Sequence, residues 1–181
     1  MTSIIQHESR AQKVEEHLRI EQNTEQRFVA AIREYREAMF RLSRSMLRKD
    51  WDAEDAVSDA MERAWISIAS LRDWNSIRPW LLRITYRCSL EIQKKRNREL
   101  PQEQEALQMM AERGSDETPL WMYLEALPEK GRVAMHLRYA ENLTIDEIAL
   151  VLRLPRGTVS ARLSRAIKQL REMIEKEEQL H

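Results

Sequence analysis

The chain has 181 residues, with 30 Lys and Arg balanced by 30 Asp and Glu, 43% hydrophobic residues, three Gly and five Pro. That length suits one mid-sized domain or two small ones. So few turn residues exclude a sandwich or barrel built on many tight turns and leave an all-α protein. The lone cysteine, Cys88, excludes an internal disulfide framework and a cysteine-based zinc site and points to a reducing cytoplasm. His7, His17, His136 and His181 lie too far apart for a metal motif, so no metal or other cofactor is expected. No apolar run approaches bilayer length, and the opening MTSIIQHESR lacks the basic-then-apolar order of a signal peptide. A soluble, unexported chain without direct membrane insertion is expected.

Residues 1–23 are polar and charged with scattered apolar positions, and read as a frayed or partner-dependent extension. From Glu25 to Leu47, Phe28, Ile32, Tyr35, Met39, Leu42 and Met46 recur at steps of four and three, which predicts a long amphipathic helix. A second helix is expected from Asp52, as N-cap, to Ser70, with Ala53, Ala56, Val57, Ala60, Met61, Ala64, Trp65 and Ile68 inward. Residues 72–76 read as a loop, and Pro79 suits the first turn of a third helix whose stripe is Trp80, Leu81, Ile84, Cys88 and Ile92. Cys88 is then a small core residue. Residues 99–118, rich in Glu and Gln and containing Gly114-Ser115, read as a flexible acidic linker.

Beyond the linker, Thr118-Pro119 offers an N-cap and first-turn proline for a short helix to Leu127 that Pro128 stops. A helix from Glu129 to Tyr139 follows, with Val133, Met135 and Leu137 inward. Thr144-Ile145-Asp146-Glu147 is a capping box, so a further helix starts there and turns Ile145, Ile148, Ala149 and Leu152 inward. It halts near Arg153-Leu154-Pro155, and Val159, Leu163, Ala166, Ile167 and Leu170 mark the core side of the last helix. Two short helices joined by a tight turn, the second strongly basic, match a DNA-binding helix-turn-helix. With Val159 and Leu163 inward, Arg156, Thr158, Ser160, Ala161, Arg162, Ser164, Arg165 and Lys168 are left as candidates to face DNA. Arginine can take guanine bidentately, and short side chains let a helix sit deep in a major groove.

Zero net charge hides a segregation along the chain. Asp50 to Glu62 carries six acids and no base, Arg78 to Arg98 carries seven basic residues against Glu91 alone, and Arg156 to Arg171 carries five bases and no acid. Separate surfaces for a polyanion and for a basic partner follow.

The stretches Leu127-Pro128-Glu129-Lys130, Leu137-Arg138-Tyr139, Leu143 to Ala149, Leu154 to Val159 and Arg162 to Ala166 resemble the promoter-binding C-terminal domain of bacterial extracytoplasmic-function (ECF) sigma factors. Independently, Asp52 to Val57 through Arg63-Ala64-Trp65, and Arg78 to Ile84, resemble that family's N-terminal conserved domain. The resemblance implies two small helical domains. A region 2-like domain over 24–98 would bind core RNA polymerase and the minus-ten element. A region 4-like domain over 119–175 would bind the minus-thirty-five element, and 176–181 would be a tail. It implies a non-catalytic specificity subunit, not an enzyme, that joins core RNA polymerase, directs it to promoter DNA and helps open the strands. An anti-sigma factor is an implied further partner.

By motif position the resemblance assigns core-polymerase binding to Asp55, Ser58 and Asp59, with Met61 and Glu62 beside them. Minus-ten recognition falls to the third helix and the loop before it: Trp74, Asn75, Arg78, Arg83, Arg87 and Lys94, with Lys95 and Arg96 adding charge. Bases leaving a duplex need flat side chains to stack on, and their phosphates need countercharge. Trp74 lies in a polar loop where no periodicity demands an aromatic, whereas Trp80 falls on the core stripe. The chain departs from the family in carrying Arg153 where a glycine is usual in the turn, Gly131 where a bulkier residue is usual, and Arg87-Cys88 where many members have a small polar pair. Two other readings compete. A dimeric helix-turn-helix regulator would explain residues 120–175 but give the acidic helix and Trp74 no task. A helical metal-dependent hydrolase would use Asp55 and Asp59, four apart on one helix face, but nothing in the sequence completes its site.

Overall fold

The computed structural model describes residues 2–99 and 119–179, and these are helical with no strand among them. In chain order the helices are α1 (Thr2–Leu47), α2 (Asp50–Ser67), α3 (Ile77–Glu99), α4 (Pro119–Ala126), α5 (Glu129–Met135), α6 (Ile145–Leu152) and α7 (Arg156–Glu178). Short 3-10 turns cover Ile68–Ser70 and Trp74–Ser76, and a π-turn covers His136–Ala140. The expected linker lies outside the described residues from 100 onward, as does the expected cap Thr118.

Two compact units divide the chain, residues 1–36 and 37–181. The first is the N-terminal part of α1, where helix runs on through the expected extension because residues 1–47 hold neither Gly nor Pro. Along α1 the stripe read from the sequence is buried at Phe28, Met39, Leu42 and Met46 and half-buried at Ile32 and Tyr35.

Within the second unit α2 lies against α3. Its contact side is a seam of Ala53, Ala56, Val57, Ala60 and Ala64, all buried, and such small side chains let two helices approach closely. Two expectations for α2 are corrected. Asp52 is not its N-cap: Lys49 occupies that position without a side-chain cap, while Asp52 sits in the first turn and pairs with Arg96 of α3. A carboxylate able to close an ion pair across the helix seam has no need to bond its own backbone. Trp65, read as inward, is 45% exposed, because the alanine seam leaves no room for an indole. Across the seam Arg63 pairs with Glu91 at 2.7 Å. Ser89 donates to the Ser43 hydroxyl at 3.0 Å, marking close approach of α1 and α3.

The C-terminal half closes around Leu127, Val133, Leu137, Leu143, Ile148, Val151, Val159, Ala166 and Leu170, with α4, α5 and α6 each against α7. Gly131 has a physical reason here: a Cβ at that position would stand 3.3 Å from the Cβ of Ala166, so the missing side chain lets α5 and α7 meet. The helix expected over Glu129 to Tyr139 forms as α5 continued by the π-turn, in which the Glu141 amide bonds the His136 carbonyl at 3.1 Å. α6 lies against α3 as well as α7, so the two halves meet inside one unit.

Candidate nucleic-acid interface

On α2, Asp55, Ser58, Asp59 and Glu62 are exposed and Met61 is half-buried. Their spacing puts the four polar residues on the side away from the alanine seam. Trp51 and Trp65 continue that same line at steps of three and four, and Ile66 beside Trp65 is 74% exposed. Sequence reading missed these apolar residues as surface features because it assigned Trp65 to the core. The signal that could have found them is the alanine seam, which alone completes a helix face.

Before α3, the Asp73 carboxylate accepts from the Asn75 amide at 3.0 Å, capping the turn that carries Trp74 half-buried and Asn75 exposed. Arg83 is half-buried, Arg87 and Lys94 are exposed, and their spacing of four and seven aligns all three along one side of α3. Arg78 stands apart from this line. Lys95 is exposed, whereas Arg96 is committed to Asp52. Trp80 is buried in the core, as is Cys88, whose thiol burial pushes up to about 11.

The helix-turn-helix is built as its capping box requires. Thr144 Oγ1 accepts from the Glu147 amide at 3.2 Å, and the Glu147 carboxylate accepts from the Thr144 amide at 2.8 Å. Arg153 ends α6 in the left-handed region, φ 54° and ψ 51°, which is where glycine is favoured. On α7, Thr158, Ala161, Arg165 and Lys168 share the side opposite Val159 and Leu163. Arg162 and Ser164 lie at the two edges of that side, and Ser160 and Arg156 lie toward the flanks. Arg156 pairs with Asp146 of α6 at 2.9 Å, both exposed. The half-buried Arg162 is near α3: it lowers the Tyr86 hydroxyl, which burial first raises above its ordinary value.

One cluster has no counterpart in the sequence reading. Glu141, directly after the π-turn, is fully buried. It accepts from Arg41 of α1 at 3.0 and 3.2 Å and from Arg78 of α3 at 3.0 Å, while His136 Nε2 stands 3.4 Å away. Burial pushes this carboxyl up, but His136 and Arg41 together pull it further down, to about 2. Nearby, buried Arg132 donates to the carbonyls of Ser45, Glu125 and Leu127 at 2.8, 3.1 and 3.1 Å. These bonds tie the end of α1 to the C-terminal half. Among the described residues no group of three His, Cys, Asp or Glu is arranged to hold a metal, and no helix is long and apolar enough to cross a membrane.

Residues 31–99 match the Sigma-70 region 2 family and residues 118–170 match the Sigma-70, region 4 family. The chain is 27% identical over 160 residues to RNA polymerase sigma factor SigV of Bacillus subtilis, covering 87% of this chain and 96% of that one. It is 25% identical over 158 residues to ECF RNA polymerase sigma factor SigW of the same organism, covering 77% and 84%. Its fold is similar to that of the sigma factor RpoE, solved with the anti-sigma factor NepR from Bartonella quintana, with a TM-score of 0.66 and 22% identity over 82% of this chain and 96% of that one. With both regions present and together spanning well over half its length, the chain belongs to the sigma-70 family as an RNA polymerase sigma factor of the ECF group.

Proposed function

We propose that this sigma factor divides its work among three surfaces. The acidic side of α2, with Asp55, Ser58, Asp59, Met61 and Glu62, docks on core RNA polymerase, and exposed Trp51, Trp65 and Ile66 extend the docking area with apolar contact. The turn at Trp74 and Asn75 takes a base leaving the duplex, while Arg78, Arg83, Arg87 and Lys94 hold phosphates of the minus-ten region. The outward side of α7 enters the major groove of the minus-thirty-five element: Arg162 and Arg165 read base edges and Arg156 and Lys168 bind phosphate. Thr158, Ser160, Ala161 and Ser164 keep that side shallow enough to enter the groove.

The protein does no chemistry of its own; catalysis belongs to the polymerase, and no cofactor is needed. Its work is in the cytoplasm, where core polymerase and promoter DNA are, and an anti-sigma factor is its further partner. The observation that carries this reading is the pairing of an exposed acidic helix in region 2 with a basic recognition helix in region 4, each within the residues its family region matches. A pull-down with core polymerase followed by run-off transcription from a promoter selected by the holoenzyme tests it. Specific initiation is expected. Binding to a palindromic duplex as a dimer, without capture by core, would favour a regulator instead.

A further inference from the structure

The turn of the helix-turn-helix holds an arginine in a conformation that its own side chain resists. Arg153 ends α6 at φ 54° and ψ 51°, where the Cβ of an L-residue crowds the backbone, and its side chain is exposed. Strain of this kind gathers at sites that bind or switch. We propose that Arg153 is a further DNA-binding residue, a phosphate ligand at the edge of the minus-thirty-five element. This inference rests on the sigma-factor reading and deepens it at the same site.

In a helix-turn-helix the second helix meets the groove with its N-terminal residues while the first crosses the sugar-phosphate backbone, so the turn between them stands beside phosphates. Arg153 is three residues before Arg156, which opens α7. Its own backbone is fixed: the Arg153 and Leu154 amides both bond the Ala149 carbonyl, and Val151 and Leu152 just before it are buried. A planar guanidinium carried on such a base can take two oxygens of one phosphate through its forked N–H groups.

The charge around the turn favours an anion there. Asp146 and Glu147 of α6 are engaged within the chain, Asp146 with Arg156 at 2.9 Å and Glu147 with the Thr144 amide and hydroxyl, each at 2.8 Å. Arg156 must leave Asp146 before it meets a phosphate. Among the described residues no carboxylate pairs with Arg153, so its charge is open to a polyanion at once.

Gly157 supplies a second, independent observation. A Cβ at that position would meet nothing within 4 Å, and its φ is not positive. The fold therefore gains nothing from a glycine, which weakens a helix relative to alanine. A bare backbone has a purpose where another molecule comes close, and at this end of α7 that molecule is DNA.

The test measures binding of reconstituted holoenzyme to a fluorescein-labelled promoter fragment, obtained by selection with the parent holoenzyme, at several salt concentrations. Arg153→Gln keeps a Cβ and removes the charge. It should weaken binding roughly three- to tenfold and make the slope of log affinity against log salt shallower by about 0.9, the share of one phosphate contact. The loss should be the same on a fragment with an altered minus-thirty-five sequence, because a phosphate carries no sequence. Arg153→Lys should keep the parent's slope. Arg153→Gly should weaken binding as Arg153→Gln does while raising the thermal midpoint of the free protein, opposite signs that a purely structural role would not give. Unchanged affinity and slope for Arg153→Gln, or an equal loss of slope for Arg153→Lys, would overturn the proposal. So would full-strength binding by Gly157→Ala, which would remove DNA from this end of α7. A parent that fails to bind core polymerase would overturn the sigma-factor reading instead, whereas a normal parent beside an unaffected Arg153→Gln overturns the role of Arg153 alone.

Discussion

Arg153 holds φ at 54°, a conformation in which the Cβ of any L-residue crowds the backbone and glycine does not. Arg153→Gly removes that strain but gives the unfolded chain more freedom, so a net gain of about 0.5–1 kcal/mol is expected, read as a rise in thermal midpoint. A fall would mean that the exposed guanidinium has a stabilising partner that outweighs the strain. This position was legible because the family's glycine flags a left-handed residue. Cys88 was legible too, by stripe position alone. With its thiol pushed up to about 11 by burial, almost none is thiolate near neutral pH. Labelling by a disulfide reagent should be slow in the native protein and fast in denaturant. Equal rates would show that the α2–α3 seam opens readily. Glu141, by contrast, carried no mark: it follows no motif, and its arginine partners are 100 and 63 residues away in sequence.

At the scale of helices, features made within one turn of chain were readable and those set by a neighbouring helix were not. The Thr144 to Glu147 capping box is local, and it forms as read. Asp52 looked equally suited to cap, but Arg96, 44 residues away, took its carboxylate. The same distinction separates Trp80, buried as its stripe implies, from Trp65, displaced outward by the alanine seam. If the outward side of α2 is the docking face, Asp55→Lys with Asp59→Lys should weaken core binding while circular dichroism stays unchanged, since both residues are exposed. Unfolding would place them in the core. On α7, Arg162→Ala and Arg165→Ala should reduce discrimination at particular upstream base pairs by ~1–3 kcal/mol, whereas Lys168→Ala should weaken all sequences about equally. Binding measured at several salt concentrations separates the two, and a uniform loss for the arginines would make them phosphate ligands. Trp74→Ala should spare duplex upstream binding and slow promoter opening in permanganate footprints, because stacking matters only once strands part.

The arrangement of the whole molecule is where sequence periodicity says least. Two helical domains were expected with a linker between them, and the charge map assigned each a surface. Nothing in a helical repeat, however, reveals that the C-terminal half will lie on α1 and α3, since single polar residues make those links: Glu141 to Arg41 and Arg78, and Arg132 to the Ser45 carbonyl. The Glu141 cluster also gives the closed form a pH limit whose direction is fixed. The carboxyl is lowered from 4.5 to about 2 in the folded chain, with Arg41, Arg78 and His136 facing it. A group whose folded pKa is depressed stabilises the structure fully above its unfolded pKa and loses that contribution as pH falls through the folded one. The Glu141 share should therefore be intact at neutral pH, begin to fail below about 4.5, and be gone near 2. Other carboxylates also titrate in that window, so the measurement is a difference: interdomain distance by fluorescence transfer, followed from neutral pH downward in parent and Glu141→Gln. The parent should be the more closed at neutral pH, and the two curves should converge on acidification. Parallel curves would mean that Glu141 is a passenger and that the remaining links, α6 with α3 and Arg132 with the Ser45 carbonyl, hold the halves together.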